Sequence, residues 1–377
     1  MNDKERYELI TRNLEEVIEG KELEELIKNK EKLKHYIGFE ISGKIHLGTG
    51  LMSMLKVKDL IEAGVDCSVF LADWHSWIND KLGGDREIIK KIAVGYFKEG
   101  MIASMKCLGG NPSKLKFILG SDLYHKNDDY WATMVDVSKN TTLGRMQRSI
   151  TIMGRQEGES VDFAKLLYPP MQVADIFFQE LNIAHSGLDQ RKAHVIAREV
   201  ANKMRISPLL NKKKEKIKPI ALHHHLILGL GKPPMWPVDR ERIQEVWSAL
   251  KMSKSKPNTA IFIHDSPEEI KNKIMGAFCP EKEIEFNPVI DWCRYLIFRT
   301  EKSKLEVKRP EKFGGDKTYK SFKMLESDFS SGKLHPSDLK SAVSEELIKL
   351  LEPARKHFAQ PKQKKMIQEM EKLLIAR

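Results

Sequence analysis

The sequence predicts an α/β fold in which an open, five-stranded parallel sheet is followed by an all-α domain. In residues 1–263, short apolar runs alternate with amphipathic helical stretches, the pattern of successive β-α units. Strand signals stop after Ile263, and the remaining residues up to Arg377 have helical periodicity. Because open parallel sheets bind ligands beyond the C-terminal ends of their strands, the functional residues are expected there.

The composition limits the possible classes of protein. The 377 residues, 41% of them hydrophobic, suffice for two domains with proper cores. A net charge of +11 favours a polyanionic partner without requiring one. The four cysteines form no C-x-x-C pair, so neither a zinc site nor a disulfide framework is indicated. With no apolar signal segment and no long uncharged apolar run, we expect a cytoplasmic protein without a membrane partner.

The first elements place a glycine-containing turn between a strand and a helix. Residues 1–34 resemble an amphipathic helical leader, and 36–39 form the first buried strand. The chain then turns at 42–44 and enters a helix that runs from His46 to about Ala63. Such a connection directs unpaired N–H groups at one point and suits a phosphate. It matches neither the dinucleotide nor the P-loop pattern, so an ordinary strand-to-helix connection is an equal alternative.

Four further strands complete the predicted sheet. They cover residues 65–71, 115–119, 182–186 and 219–222. A polar helical insertion, at about 122–180, separates the third strand from the fourth. Beyond the fifth strand, residues 230–262 form a loop region rich in lysine and proline. We place the domain boundary near residue 263 and the helical domain at 264–377.

The loop region contains the lysine loop, KMSKSK, at residues 251–256. Lysines at that spacing can surround a triphosphate and stabilise the negative charge that builds on an α-phosphate under attack by a carboxylate. A lysine cluster alone is usually a solvated loop. Together with the helix-opening His46-Leu47-Gly48 it is a far more specific signal.

Several sequence blocks, in this order, resemble those of one enzyme family. They are YIGFEISGKIHLG (36–48), FLADWHSWIN (70–79), YPPMQVADI (168–176), GLDQRKAH (187–194), KMSKSK (251–256), DSPEEIKNKI (265–274), RPEKFGGD (309–316) and LHPSDLK (334–340). The chain resembles a class I aminoacyl-tRNA synthetase, and most closely the tyrosyl-tRNA synthetases of the archaeal and eukaryotic type. The resemblance runs from Tyr36 to about Glu352 and implies a homodimer with a Rossmann-like catalytic domain and a helical anticodon-binding domain.

The resemblance implies a two-step reaction with ATP. Tyrosine and ATP give tyrosyl-adenylate and pyrophosphate, and the tyrosyl group is then transferred to the 3′ end of tRNA(Tyr) with release of AMP. No tightly bound cofactor and no protein metal site are expected, because Mg²⁺ accompanies ATP. The implied catalytic residues are His46, Gly48, Lys251 and Lys254. The implied ATP contacts are Gly38, Glu40, His46, Gly48, Thr49 and Lys254.

One of these positions departs from the family pattern. The family's HIGH motif corresponds to residues 46–49, where Thr49 replaces the last histidine. A hydroxyl can still donate a hydrogen bond to a phosphate, although it is not an imidazole.

Five residues are expected to bind the amino acid. By resemblance, Tyr36 and Asp175 hold the phenol, while Tyr168, Gln172 and Gln190 hold the α-amino group. The spacing agrees, since positions 168, 172 and 175 lie on one helix face. That face is polar where a core-facing stripe would be apolar, so a solvent-facing stripe is the alternative.

Seven residues are expected to contact tRNA. The family reads the first acceptor base pair through residues that match Arg148, Arg191 and Lys192, and the anticodon through residues that match Phe313, His335, Pro336 and Asp338. An aromatic ring can stack on an unpaired base, and a carboxylate can accept from a guanine edge. Loop packing or helix capping is the alternative role for the four anticodon residues.

Two other functions are compatible with these motifs. A tryptophan–tRNA ligase would share the fold without needing the pair Tyr36 and Asp175. A non-catalytic tRNA-binding paralogue would share it without a buried amino-acid pocket. The run His223-His224-His225 looks like a metal cluster, but adjacent strand residues point to opposite faces, so zinc is not expected.

Overall fold

The computed structural model describes residues 1–238 and 250–375, and so omits part of the predicted 230–262 loop region. Six strands form the central sheet in the order β1-β6-β5-β2-β3-β4. Their bounds are β1 Glu16–Ile18, β2 Lys34–Phe39, β3 Asp66–Leu71, β4 Lys116–Leu119, β5 Ile183–Gly187 and β6 Ile220–His224. The five predicted strands, β2 to β6, are present and pair in parallel, which confirms the Rossmann-like α/β class.

The sixth strand corrects the prediction of a purely helical leader. Strand β1 pairs antiparallel with β6, with Val17 opposite Leu222. Helices Asp3–Thr11 and Gly20–Lys28 flank it. The backbone changes direction before and after β1, at Asn13 and Glu19, which both have positive φ. The strand covers the edge of β6, whose N–H and C=O groups would otherwise lack partners.

The two faces of the sheet contact different cores. Ile37 and Val69 pack into one apolar cluster, whereas Tyr36 and Phe70, their neighbours in sequence, pack into the other, as strand alternation requires. Helices of the α/β units are Ser53–Glu62, Asp73–Ile78, Arg86–Ile92, Lys98–Cys107 and Arg191–Val200. The helices of the predicted insertion are Gly120–Tyr124, Asp128–Lys139, Leu143–Ser149 and Tyr168–Phe178. Tyr130 and Val137 of the insertion belong to the same cluster as Tyr36, so the insertion covers that face.

The C-terminal region is mostly helical, as predicted. Its helices are Pro267–Met275, Pro288–Trp292, Phe322–Ser330, Pro336–Leu350, Glu352–Phe358 and Pro361–Ile375. The expectation of an all-α domain is wrong in one place, because β7 (Leu305–Val307) and β8 (Lys317–Tyr319) form an antiparallel pair. Leu305 and Val307 are buried while Glu306 is exposed, which is the two-residue period of a strand.

The C-terminal region shares its core with the sheet domain, since Ile45, Ile263 and Ile270 belong to one apolar cluster. A charged contact also joins the two regions. The imidazole of His225 lies between Glu15, at 3.2 Å, and Asp291, at 2.8 Å, and stacks on the Tyr295 ring. Within the described residues, no helix has both the length and the apolar content to cross a bilayer.

We expect the contact of His225 to make stability depend on pH. Burial opposes its charge, but the hydrogen bonds to Asp291 and Glu15 outweigh burial and raise the pKa of His225 to about 9. Because the folded pKa lies above the unfolded one, the stabilisation is complete below about pH 6.5 and is lost as the pH rises through 9. In denaturant unfolding, His225→Gln should lower the free energy of unfolding relative to the parent, and this loss should shrink by roughly 2–3 kcal/mol between pH 6.5 and 10.

His264 provides the control for this measurement. It is half-buried, and burial lowers its pKa to about 4, so it stays neutral across the same range. The loss in free energy of unfolding caused by His264→Gln should not change between pH 6.5 and 10. Parallel pH curves for the two variants would contradict the assignment of a charged His225.

Candidate active site

The connection after β2 is fixed by the segment that follows the lysine loop. The N–H of Leu47 donates to the carbonyl of Ile261 at 3.0 Å, and the N–H of Ile263 donates to the carbonyl of Ile45 at 3.0 Å. The first helical turn, Gly48–Met52, is wound as a π-helix, a form often found at functional sites. Two segments more than 200 residues apart in sequence thus hold each other at the C-terminal end of the sheet.

The lysine loop reaches this connection directly. Lys254 Nζ donates to Ser42 Oγ at 2.7 Å, and Lys251 Nζ lies 3.0 Å from Asp189 Oδ2. Burial lowers the pKa of Lys254 to about 8, against the opposing attraction of Glu40. An ammonium group in this position is weakly solvated, which strengthens its interaction with an incoming anion.

Thr49 forms hydrogen bonds with the imidazole of His46. Its N–H donates to His46 Nδ1 at 3.3 Å, and its hydroxyl lies 3.2 Å from Nε2. Burial, reinforced by Lys254 and Lys251, lowers the pKa of His46 to about 3, so the ring is neutral. A Cβ at Gly48 would lie 3.1 Å from His46 Cε1, so glycine also makes room for this ring. The threonine in place of the second histidine therefore orients the first.

We expect Thr49→Val to slow tyrosyl-adenylate formation about fivefold, because it removes a hydrogen bond worth roughly 1 kcal/mol that orients His46. Thr49→Ser, which keeps the hydroxyl, should stay within about twofold of the parent rate. Amino-acid-dependent ATP–pyrophosphate exchange measures both rates. Equal rates for the valine and serine variants would contradict an orienting role for the hydroxyl.

The polar helix face lies inside the protein, so the alternative of a solvent-facing stripe is wrong. Tyr168 and Asp175, on helix Tyr168–Phe178, are 5% and 1% exposed. Burial, followed by the charge of Asp175, raises the pKa of Tyr36, and the neighbouring amide of Gln172 opposes this shift. Gln172 Nε2 in turn donates to Gln190 Oε1 at 3.3 Å. All five residues predicted to bind the amino acid are therefore brought together on the Tyr36 face of the sheet.

Asp175 has partners that the sequence did not indicate. Its Oδ1 accepts from the hydroxyls of Tyr124, at 2.9 Å, and Tyr130, at 3.2 Å. Burial raises the pKa of Asp175 well above its ordinary value, partly offset by these two hydrogen bonds. Both tyrosines come from the insertion, where no pattern distinguishes them from other polar helix residues.

Some buried polar atoms among these residues have no partner. Within the part of the chain that the structure describes, Gln172 Oε1 and both ring nitrogens of His75 have no hydrogen-bond partner. The His75 ring contacts that of Tyr168, with centroids 4.6 Å apart, and His75 Nε2 is 3.8 Å from Asp175 Oδ2. Because buried polar atoms in native proteins are normally paired, this cluster fits a pocket that binds a polar ligand.

Further polar residues lie at the ends of β2 and β3. Gly38 is exposed near the end of β2, and the Glu40 carboxylate accepts from Asn79 Nδ2 at 2.8 Å and lies 3.3 Å from Lys81 Nζ. Asp73 follows β3 and accepts from the N–H of Ser121 at 2.9 Å. Asp73 and His75 belong to a strand-end stretch at 72–75, so the strand-end rule could have found both.

The three residues predicted to read the acceptor end have different surroundings. Lys192 Nζ donates to the carbonyl of Arg148 at 2.9 Å and contacts Glu157, so Arg148 and Lys192 are neighbours. Arg191 Nε instead binds both carboxylate oxygens of Glu16, at 2.8 and 2.9 Å.

The four predicted anticodon residues lie at two positions of the C-terminal region. Phe313 is 60% exposed, next to the β7–β8 pair. His335 caps helix Pro336–Leu350 by accepting from the N–H of Ser337 at 3.2 Å, with Pro336 in its first turn. Asp338 is half-buried in that turn. For His335 and Pro336, the geometry matches the capping alternative.

The three consecutive histidines do not converge. His223 bonds His194 at 2.9 Å on one face of β6, whereas His224 bonds His185 at 2.8 Å on the other. In residues 1–238 and 250–375, no group of three or more His, Cys, Asp or Glu side chains could hold a metal ion.

Comparisons with known proteins agree with this architecture. A family model described as class I tRNA synthetases (W and Y) matches residues 28–352. The chain belongs to this family. It is 58% identical over 360 residues to a tyrosine–tRNA ligase of Thermococcus sibiricus, covering 95% of this chain and 96% of the relative. At this identity over nearly its full length, the chain belongs with the tyrosine–tRNA ligases of the family.

Solved structures also resemble this chain. The tyrosyl-tRNA synthetase of Pyrococcus horikoshii, solved with L-tyrosine, matches with a TM-score of 0.95 and 55% identity, over 98% of this chain and 100% of that one. A tryptophanyl-tRNA synthetase of Aeropyrum pernix matches with a TM-score of 0.64 and 21% identity, over 93% of this chain and 84% of that one, which shows a shared fold alone.

Proposed function

We propose that this chain activates tyrosine with ATP and transfers it to tRNA(Tyr), with catalysis by positioned charges and no covalent enzyme intermediate. The observation that carries the proposal is the 2.7 Å contact between Lys254 Nζ and Ser42 Oγ, on the connection that leads from the tyrosine pocket to the helix start. A cation at this point can act on a phosphate whose attacking carboxylate is held in the pocket.

In the first step, Tyr36 and Asp175 hold the phenol of the substrate, while Tyr168, Gln172 and Gln190 hold its ammonium group. The substrate carboxylate attacks the α-phosphorus of ATP, a new P–O bond forms, and pyrophosphate leaves. His46, Lys251 and Lys254 stabilise the negative charge on the phosphates, and His46 does so as a neutral ring. Gly38, Glu40, Gly48 and Thr49 border the nucleotide. ATP brings its own Mg²⁺, which balances the charge of the leaving group.

In the second step, the terminal ribose hydroxyl of tRNA attacks the carbonyl carbon of the adenylate and AMP leaves. Arg148 and Lys192 contact the acceptor end together, and Arg191 contributes after separating from Glu16. Tyrosine should therefore support pyrophosphate exchange far better than tryptophan or phenylalanine, and only tRNA(Tyr) should be charged. Exchange with tryptophan alone, or tRNA binding with no exchange, would favour one of the two alternatives.

We expect Asp338→Ala to separate the two steps. The variant should charge tRNA at least about tenfold less efficiently, because it loses a carboxylate that accepts from a base edge, while pyrophosphate exchange stays within twofold. Glu345→Ala, an exposed acidic position on the same helix, is the control and should leave both steps unchanged. An equal fall in both steps for Asp338→Ala would indicate a structural role for this residue.

The chain is also proposed to work as a cytoplasmic homodimer. We place three exposed apolar side chains of the insertion at the dimer contact, where association would remove them from water. Val135, Leu143 and Phe163 are 50%, 64% and 74% exposed. Light scattering should give a dimer mass for the parent and a smaller mass for Leu143→Lys combined with Phe163→Lys. A monomeric parent chain would overturn this part of the proposal.

A further inference from the structure

A short segment after β6 lies between the lysine loop and the C-terminal region. Leu228 is opposite Lys251 in an antiparallel bridge. The bonds that form this bridge are from Gly229 N–H to the Leu250 carbonyl, at 2.7 Å, and from Met252 N–H to the Ile227 carbonyl, at 2.9 Å. In this pattern, the N–H and C=O of Leu228 itself point away from the lysine loop.

Two consecutive side chains of helix Pro288–Trp292 bind both of these backbone groups. Asp291 Oδ2 accepts from the Leu228 N–H at 2.9 Å, and Trp292 Nε1 donates to the Leu228 carbonyl at 2.8 Å. Trp292 is fully buried, and the other oxygen of Asp291 accepts from His225 at 2.8 Å. We call these two contacts the Leu228 clamp.

The Leu228 clamp helps to fix the position of Lys251. Two backbone bonds hold the bridge at residues 250–252, and the ammonium of Lys251 is only partly buried beside Asp189. The location of its backbone is therefore set by the opposite segment, which is in turn fixed at Leu228. Because a small displacement of a charged group weakens its action on a developing charge, the clamp can affect the rate without touching any substrate.

We infer that Asp291 and Trp292 are positioning residues for Lys251 and connect the C-terminal region directly to the adenylating site. The inference rests on the proposed role of Lys251 in binding the triphosphate. The helix that bears the clamp also packs on helix Pro336–Leu350. Two predicted tRNA contacts lie at the start of that helix, His335 as its N-cap and Asp338 in its first turn.

Variants at Asp291 test the inference through pyrophosphate exchange. Asp291→Ala leaves the Leu228 N–H unpaired and should lower kcat about tenfold, with the KM for tyrosine within twofold of the parent. Asp291→Asn keeps a carbonyl oxygen for the same N–H and should restore most of the rate. Trp292→Phe, which keeps the ring and removes its N–H, should also lower kcat and provides a second variant if Asp291→Ala fails to fold. A rise in the tyrosine KM with kcat unchanged would overturn the inference.

A matched control lies in the same region. Glu326 forms an ion pair with Arg294 at 2.7 Å, and Glu326→Gln removes an acidic group of the C-terminal region without touching the clamp. Its kcat should equal that of the parent. A loss in Glu326→Gln as large as that in Asp291→Ala would point to general loosening of the region and overturn the inference.

A double-mutant cycle with Lys251→Ala decides whether the clamp acts through that lysine. Under single-turnover conditions, Asp291→Ala should cost less than about twofold in a chain that already has Lys251→Ala. A full tenfold loss in both backgrounds would overturn the inference and leave the proposed role of Lys251 intact. If Lys251→Ala alone had the parent rate, the proposed role of Lys251 would fail, and the inference would fall with it.

Discussion

Lys254→Ala is expected to slow tyrosyl-adenylate formation by about 10²–10³-fold, the usual effect of removing one preorganised charge or donor from a transition state. The ammonium of Lys254 is held at Ser42, beside the helix start that contains His46. Since the tyrosine pocket is formed by other elements, the KM for tyrosine should stay within about twofold.

Amino-acid-dependent pyrophosphate exchange measures this loss, and Lys256→Ala is the comparison. Lys256 belongs to the same loop but is exposed, and it should retain most of the activity. Because burial lowers the pKa of Lys254 to about 8, its charge is present below that pH and lost above it, so kcat/KM for ATP should fall as the pH rises through 8. Equal losses in the two variants would mean that only the total charge of the loop matters.

Asp175→Asn is expected to reduce discrimination between tyrosine and phenylalanine about ten- to a hundredfold. The carboxylate is buried and accepts from Tyr124 and Tyr130, and in the proposed complex it also accepts from the substrate hydroxyl. Phenylalanine lacks that hydroxyl and would leave buried polar groups unpaired, at a cost of about 1–3 kcal/mol. The variant relaxes this requirement because its amide places a donor beside the two tyrosine hydroxyls.

The ratio of kcat/KM for tyrosine to that for phenylalanine is the measurement. Asp136→Asn is the control, because Asp136 is also buried but accepts from the backbone N–H groups of Arg205 and Ile206. It should lose stability without changing the ratio. If Asp175→Asn kept the parent ratio, Asp175 would not be the residue that recognises the phenol.

Much of the fold could be predicted from the sequence because its signals are local. Each strand from β2 to β6 is an apolar run bounded by turn residues, and the helices at Pro267 and Pro288 follow the capping residues Ser266 and Asn287. Strand β1 was missed because it has three residues and acquires its structure only by pairing with β6. The β7–β8 pair was missed for a similar reason, since three-residue strands are too short to establish a two-residue period.

The sequence by itself determined which residue types are available for adenylate chemistry, through the His46 helix start, the lysine loop and the spacing of Tyr168, Gln172 and Asp175 along one helix face. Only the tertiary structure decided what these residues contact. The bond from Lys254 to Ser42 and the enclosure of Asp175 by Tyr124 and Tyr130 join segments that are distant in sequence. Periodicity and capping reflect interactions within a few residues, whereas these contacts depend on how the packed helices and sheet bring separate segments together.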